Sequence, residues 1–180
     1  MSSIARTSIV VYSGLITLSL IIAWRTDEPI ALAAPGLSGV AVAIAAGLAT
    51  GAGVVFLSRL WMARSPRGRD LALALGDLFG SLARRDVAII ALFSGVAEEM
   101  LFRGVIQPHL GYIGTSIVFG LVHIGPGRRY ALWTVFALAA GFLMGALAIA
   151  TGGVLAPAIA HVIVNWRNIT EIGRLVDSGG

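Results

Sequence analysis

The stretch Glu98-Glu99-Met100-Leu101-Phe102-Arg103 interrupts an apolar run from residue 87 to residue 104, in which Ser94 is the one other polar side chain. An ionisable side chain at the centre of a membrane helix costs ~2.5–3.5 kcal/mol, so a membrane helix that carries several of them indicates a function. On a helix, Glu99 and Arg103 are four residues apart and share a face, which predicts an ion pair. Glu98 is rotated by about 100° from Glu99 and is predicted to remain available for chemistry.

The composition indicates an integral membrane protein. Of the 180 residues, 57% are hydrophobic and only 12% are charged. The chain has room for about six spans of ~20 residues each. The predicted fold is therefore all-α, a polytopic transmembrane helix bundle that forms a single membrane domain over residues 1–180. The absence of cysteine excludes disulfides, thiolate metal sites and a cysteine nucleophile.

Six apolar runs are predicted to cross the membrane, at residues 9–24, 40–61, 87–107, 112–124, 130–150 and 154–166. Pro108 is predicted to stop the third span, because proline cannot continue the helical hydrogen bonding. Gly47 and Gly51, and likewise Gly141 and Gly145, have the GxxxG spacing that allows close helix contacts. The first run has features of a signal peptide, but its length favours an uncleaved span.

Residues 70–83 have a different pattern from the spans. Five apolar residues recur on one helical face, with polar residues off that face: Leu71, Leu75, Leu78, Phe79 and Leu82 against Asp70, Asp77 and Ser81. This pattern predicts an amphipathic helix that lies in the membrane interface and leads into the third span. The alternative is a short connecting helix without a membrane role.

The 13 basic residues are all arginine, and they flank the apolar runs. If the N-terminus is inside, all of them except Arg25 and Arg103 fall on the inner side. The positive-inside rule then places both termini in the cytoplasm. The expected location is a bacterial inner (plasma) membrane. The arginines do not form a basic stripe, so nucleic-acid binding is not expected.

Three further polar residues, His123, His161 and Asn165, lie within predicted spans. At ~1.5 Å per residue, Glu98 and His123 lie ~17 Å from the ends of their spans and His161 lies ~12 Å from its end. All three are near the middle of a hydrocarbon core ~30 Å thick, so we expect them to meet. Asn165 follows His161 by one helical turn on the same face, and Phe119 precedes His123 by one turn and is predicted to form a wall of the pocket.

A carboxylate beside imidazoles in a dry cavity is suited to act as a general base on water. Imidazole and amide groups can also donate hydrogen bonds to an oxyanion, so the set can hydrolyse an amide without a covalent intermediate. The sequence has no HExxH zinc motif, and no GxSG nucleophile precedes a suitable histidine.

The same residues resemble a known family. The sequence carries, in order and on separate apolar runs, the motifs Glu98-Glu99-x-x-x-Arg103, Phe119-x-x-x-His123 and His161-x-x-x-Asn165. Together they resemble the three motifs of the CAAX protease and bacteriocin-processing family (CPBP, also called Abi), which includes the type II CAAX prenyl endopeptidases. The resemblance covers residues 85–170, which would be the catalytic core.

The resemblance implies an intramembrane protease of the glutamate type. In it, Glu98 would activate water with the help of His123, while His161 and Asn165 would stabilise the oxyanion. The supporting residues would be Glu99, Arg103 and Phe119. No cofactor is required in this interpretation; the alternative is zinc or another divalent metal at Glu98, His123 and His161, because one carboxylate and two imidazoles suit that ion.

The expected partners are the lipid bilayer and a membrane-associated protein or peptide substrate, cut near its C-terminus or its membrane-proximal part. Two alternatives remain open. Buried Glu and His also serve proton-coupled membrane proteins. A non-enzymatic immunity or interaction protein would use the same polar cluster only to hold its bundle together.

Overall fold

The computed structural model describes residues 1–80 and 82–178, which are helical apart from turns and short loops. A π-helical segment, Met100–Ile106, connects α4 to α5, and a 3₁₀ turn, Arg128–Tyr130, precedes α6. The α-helices are α1 (Ser3–Thr26), α2 (Gly36–Arg64), α3 (Pro66–Phe79), α4 (Arg84–Glu99), α5 (Gln107–Leu121), α6 (Ala131–Thr151) and α7 (Leu155–Ser178). The predicted all-α bundle is confirmed.

Three stretches of the described residues are long and apolar enough to cross a membrane. They are α1, α2 and the stretch Arg128–Thr151, which contains α6. Large apolar side chains on these helices face outward, among them Leu20, Leu48 and Phe56. Lipid solvates such surfaces, which fits an integral membrane protein.

Of the polar motif residues, Glu98 and Glu99 lie on α4, Arg103 on the π-helical segment, and His161 and Asn165 on α7. His123, predicted to lie inside the fourth span, is instead in the turn that follows α5.

Glycines allow the helices to pack closely. A Cβ atom added at Gly47 of α2 would lie 2.6 Å from the backbone oxygen of Ala156 in α7. One added at Gly51 would lie 3.0 Å from Cβ of Ile163. The close contact predicted from the GxxxG spacing is therefore present, and it is made with α7.

A glycine also sets the approach of α4 to α7. A Cβ atom added at Gly95 would lie 2.6 Å from Cγ2 of Val162 and 2.9 Å from its backbone nitrogen. Gly95 lies one turn before Glu98, and Val162 directly follows His161. The absence of a side chain at Gly95 therefore brings the two helices together at the level of these two polar residues.

The third predicted span ends later than expected. The prediction that Pro108 stops it is wrong, because helical structure continues through Pro108 into α5. This proline is the second residue of α5, where the hydrogen-bond pattern changes from π to α and a missing N–H costs least. The helical path breaks instead at Gly111, whose φ of 75° and ψ of 168° suit glycine.

The amphipathic helix is present as α3, but it begins at Pro66 rather than at residue 70. The Ser65 side chain accepts a hydrogen bond from the Gly68 backbone N–H, and proline at the first position favours helix initiation. Helix α3 packs against α7, where Gly76 contacts Val176. Of the residues that defined the predicted pattern, Ser81 and the side chain of Phe79 lie outside the described part.

Asp86 connects the start of α4 to the start of α1. Its side chain is buried, and its Oδ2 accepts a hydrogen bond from the Ser2 backbone N–H at 2.6 Å. This bond is the main cause that lowers the pKa of the Asp86 carboxyl, against the opposing effect of burial. The Arg85 guanidinium, with Nε 3.8 Å from Oδ1, lowers it further.

The packing of α2 against α7 predicts different effects for two glycines. Gly47→Ala should lower the free energy of unfolding by ~1–3 kcal/mol, because its methyl group has to displace the α7 backbone. Gly53→Ala is the matched control, since a Cβ atom there meets nothing within 4 Å. It should be neutral or slightly stabilising. Unfolding in detergent measures both, and equal losses for the two variants would contradict the packing.

The bond between Asp86 and Ser2 predicts a pH-dependent contribution to stability. Because the folded pKa is below the unfolded value of ~3.9, the contribution is present above that value and is lost as the pH falls through the folded pKa. Wild type should therefore be more stable than Asp86→Asn at pH 6, and the difference should shrink towards pH 2. Melting temperatures in detergent measure this difference, and a constant gap would contradict the prediction.

Candidate active site

Glu99 is the centre of a buried network that joins five segments. Its Oε1 accepts hydrogen bonds from Arg103 Nη1 at 3.0 Å and from His161 Nδ1 at 2.7 Å. Arg103 also donates through Nη2 to the backbone oxygen of Gly141 at 3.1 Å. Its guanidinium carbon lies 4.4 Å from the centre of the Phe119 ring, a cation–π contact. The ion pair between Glu99 and Arg103 forms as the four-residue spacing predicts.

Glu98 faces a cavity instead of this network. Its Oε2 lies 3.6 Å from His123 Nε2 and 3.9 Å from His161 Nε2. This oxygen is buried and has no hydrogen-bond partner among the described residues. The three residues that the depth estimate placed together therefore lie side by side, with Glu98 between the two rings.

The ring of His123 is held in one orientation. Its Nδ1 lies 2.7 Å from the backbone oxygen of Phe119. A carbonyl only accepts, so Nδ1 carries a proton and Nε2 is the nitrogen that faces Glu98. The centre of the imidazole lies 4.6 Å from the centre of the Phe119 ring and 5.7 Å from that of the Trp133 ring, which is perpendicular to it.

Asn165 lies one turn after His161, on the same side of α7. Its Nδ2 donates a hydrogen bond to Ser94 Oγ at 2.9 Å. An amide nitrogen carries two hydrogens, so the second is available to a substrate oxygen. Ser94 is thereby engaged by Asn165, and it also donates to the Ala91 backbone oxygen at 3.4 Å.

Two cavities meet at these residues. The first, of about 210 Å³, is lined by Glu98 and extends between α1, α3, α4 and α7. The second, of about 350 Å³, lies between α2, α6 and α7 and has mainly apolar walls, including Leu57 and Leu143. His123, His161 and Asn165 line both cavities. The polar cluster thus lies where the two cavities join.

Sequence interpretation missed two residues of this site. Tyr12 of α1 lines the first cavity together with Glu98. Its only signal is that it is a polar aromatic residue inside the first apolar run. Trp133 lines both cavities and contacts His123. In the sequence it is indistinguishable from an interfacial aromatic at the start of a span.

Comparison with known proteins agrees with this geometry. Residues 81–167 match the family model described as type II CAAX prenyl endopeptidase Rce1-like. This part of the chain is similar to the Rce1-like family. The matched Rce1-like region contains all three motifs, from Glu98 to Asn165. The resemblance inferred from those motifs is thereby confirmed.

A relative of the Rce1-like region occurs in Bacillus subtilis (strain 168), where it is described as the uncharacterized protein YpbD. The two are 33% identical over 90 residues. The match covers 49% of this chain and 46% of YpbD, so the chain spans about half the length of this relative. No solved structure matches the chain.

The zinc alternative at Glu98, His123 and His161 stays a prediction. Within the part of the chain that the structure describes, no group of three or more His, Cys, Asp or Glu side chains is arranged to hold a metal ion. We therefore derive no chemical step through a metal.

The buried network predicts strong coupling between Glu99 and Arg103. Arg103→Gln should cost ~3–5 kcal/mol of stability, because it leaves a buried carboxylate without its cation. Adding Glu99→Gln removes that charge, so the double variant should lose much less than the sum of the two single losses. Unfolding in detergent provides this double-mutant cycle.

The pair between Arg129 and Asp77 is the control for this cycle. Its atoms are 2.9 Å apart, but the side chains are 57% and 62% exposed. Its coupling energy should be below ~1 kcal/mol. Additive losses at Glu99 and Arg103, or equal coupling at the two pairs, would contradict the proposed importance of burial.

Proposed function

We propose that the chain is an intramembrane endopeptidase of the glutamate type. The observation that supports this most directly is the buried, unpartnered Oε2 of Glu98, which faces the Nε2 atoms of His123 and His161. A carboxylate with this environment can bind a water and accept its proton, and the match of residues 81–167 to the Rce1-like family model agrees with proteolysis.

In the proposed reaction, Glu98 acts first as a general base. It removes a proton from a water that lies between its carboxylate and the imidazole rings, and the water oxygen attacks the carbonyl carbon of the peptide. Glu98 then gives the proton to the leaving amine as the C–N bond breaks. His123 orients the water through Nε2, because its Nδ1 is occupied by the Phe119 carbonyl.

The developing oxyanion is stabilised from α7. The second N–H of the Asn165 amide donates to it, as does Nε2–H of His161 when that ring is doubly protonated. In that state Nδ1–H of His161 still donates to Glu99, whose carboxylate compensates the ring charge. Glu99 and Arg103 therefore position His161 without contacting the substrate, and no metal takes part.

The second cavity supports a membrane-associated substrate. It lies between α2 and α6, whose apolar outer surfaces face lipid, and it leads to His123, His161 and Asn165. An extended segment near the C-terminus or membrane-proximal part of a protein or peptide enters there. The distribution of the arginines supports a bacterial inner-membrane location with both termini in the cytoplasm.

A comparison of Glu98→Gln with wild type tests the proposed function. Both proteins are expressed at equal levels in the native membrane, and new peptide termini are mapped across the membrane proteome. Wild type should generate termini that Glu98→Gln reduces by 10²–10⁴-fold, the usual effect of losing a general base. The same termini should form when divalent metals are chelated.

The matched control is Glu28→Gln. Glu28 is an exposed glutamate that lies outside the two cavities, where it contacts His109. This variant should give the wild-type pattern of termini. Identical maps for wild type and Glu98→Gln, with both proteins folded and abundant, would reject the protease and leave the proton-coupled and interaction-protein interpretations.

A further inference from the structure

A third cavity lies where α2 ends and α3 begins. It has a volume of about 620 Å³, and its charged lining residues are Arg59, Arg64, Arg69 and Glu171. Met62 lies between this cavity and the first one and contributes to both. None of the proposed catalytic residues lines it, so it is a separate site.

The arginines of this cavity differ in their partners. Arg59 Nη2 lies 3.2 Å from Glu171 Oε2, and Arg174 Nη1 lies 3.4 Å from the same oxygen. The negative charge of Glu171 is therefore already compensated by these two arginines. Arg64 and Arg69 have no ion-pair partner in the described part of the chain. The cavity thus presents two uncompensated guanidinium groups, which suit a phosphate group.

The position of the cavity in α2 matches the level of lipid headgroups. Helix α2 has 29 residues, so it is ~43 Å long at ~1.5 Å per residue and extends beyond a hydrocarbon core of ~30 Å. Trp61, an interfacial type of residue, lies one turn before its end, and Arg64 is its last residue. The arginines of the cavity therefore lie at, or just beyond, the end of a helix that crosses the membrane.

An apolar surface leads from the membrane to the cavity. Leu48, Ala52 and Phe56 are exposed and repeat every four residues along α2. They lie on the same side of the helix as Arg59 and Ala63, which line the cavity. A ligand with a phosphate group and acyl chains would match both the cationic cavity and this apolar surface.

We propose that this cavity binds the headgroup of an anionic phospholipid, with its acyl chains along α2. The phosphate contacts the guanidinium groups of Arg64 and Arg69, while Glu171 keeps Arg59 in place. Lipid binding at this position stabilises the connection between α2 and α3. This inference is independent of the proposed protease activity.

Native mass spectrometry of the protein in detergent tests this proposal. Phosphatidylglycerol is added as the anionic probe, and phosphatidylethanolamine is the zwitterionic reference. Wild type should retain phosphatidylglycerol selectively. Arg64→Gln and Arg69→Gln should each weaken its binding about fivefold, as expected for one cation at an anionic lipid surface.

Arg67→Gln is the matched control. It removes the same charge from the same segment, and Arg67 is exposed like Arg64 and Arg69, but it does not line the cavity. It should leave phosphatidylglycerol binding within twofold of wild type, and all three variants should unfold at the wild-type temperature in lipid-free detergent. Equal weakening by all three variants would show a general surface attraction and overturn the proposal.

A competition experiment distinguishes a lipid from a soluble anion. Glycerol 3-phosphate and inorganic phosphate, added in excess, should displace phosphatidylglycerol poorly because they lack acyl chains. Displacement at equimolar concentration would assign the cavity to a soluble phosphate and overturn the lipid proposal. Equal retention of phosphatidylglycerol and phosphatidylethanolamine by wild type would overturn it as well.

Discussion

The buried carboxylate of Glu99 is the constraint on which the rest of the site depends. In a membrane interior its charge requires compensation, which Arg103 and His161 provide within hydrogen-bond distance. Arg103 in turn requires the Gly141 backbone oxygen and the Phe119 ring. These partners come from the π-helical segment and from α5, α6 and α7. Satisfying one charge therefore fixes the relative positions of these elements and α4.

The adjacency of Glu98 and Glu99 divides two tasks between neighbouring residues. The rotation of about 100° between them directs one carboxylate into the network and the other into the cavity. His161 connects the two, because its Nδ1 contacts Glu99 while its Nε2 faces Glu98. The group that positions the ring is thus different from the group that faces the cavity. A rigid neighbour lets Glu98 remain unpartnered without disordering the site.

The sequence predicts how residues are spaced along one helix and how deep each lies in the membrane. It does not predict how the helices are placed and rotated against one another. The contact of Glu99 with Arg103 follows from a separation of one helical turn, and the level of His123 follows from counting residues. The contact of Glu99 with His161 depends on how α7 is rotated against α4, which Gly95 permits through tertiary packing. The prediction that the third span ends at Pro108 was wrong for a similar reason. No residue pattern in the sequence distinguishes a π-helical segment from an α-helix.

The cavity walls and the catalytic motifs come from different parts of the chain. The Rce1-like match begins at residue 81, so α1, α2 and α3 precede it. These helices nevertheless contribute Tyr12 beside Glu98, Leu57 in the apolar cavity and Leu71 in the first cavity. A family match to the motifs alone therefore describes the reacting groups but not the space around them. In this chain the shape of that space depends on how α1 to α3 pack against α4, α6 and α7.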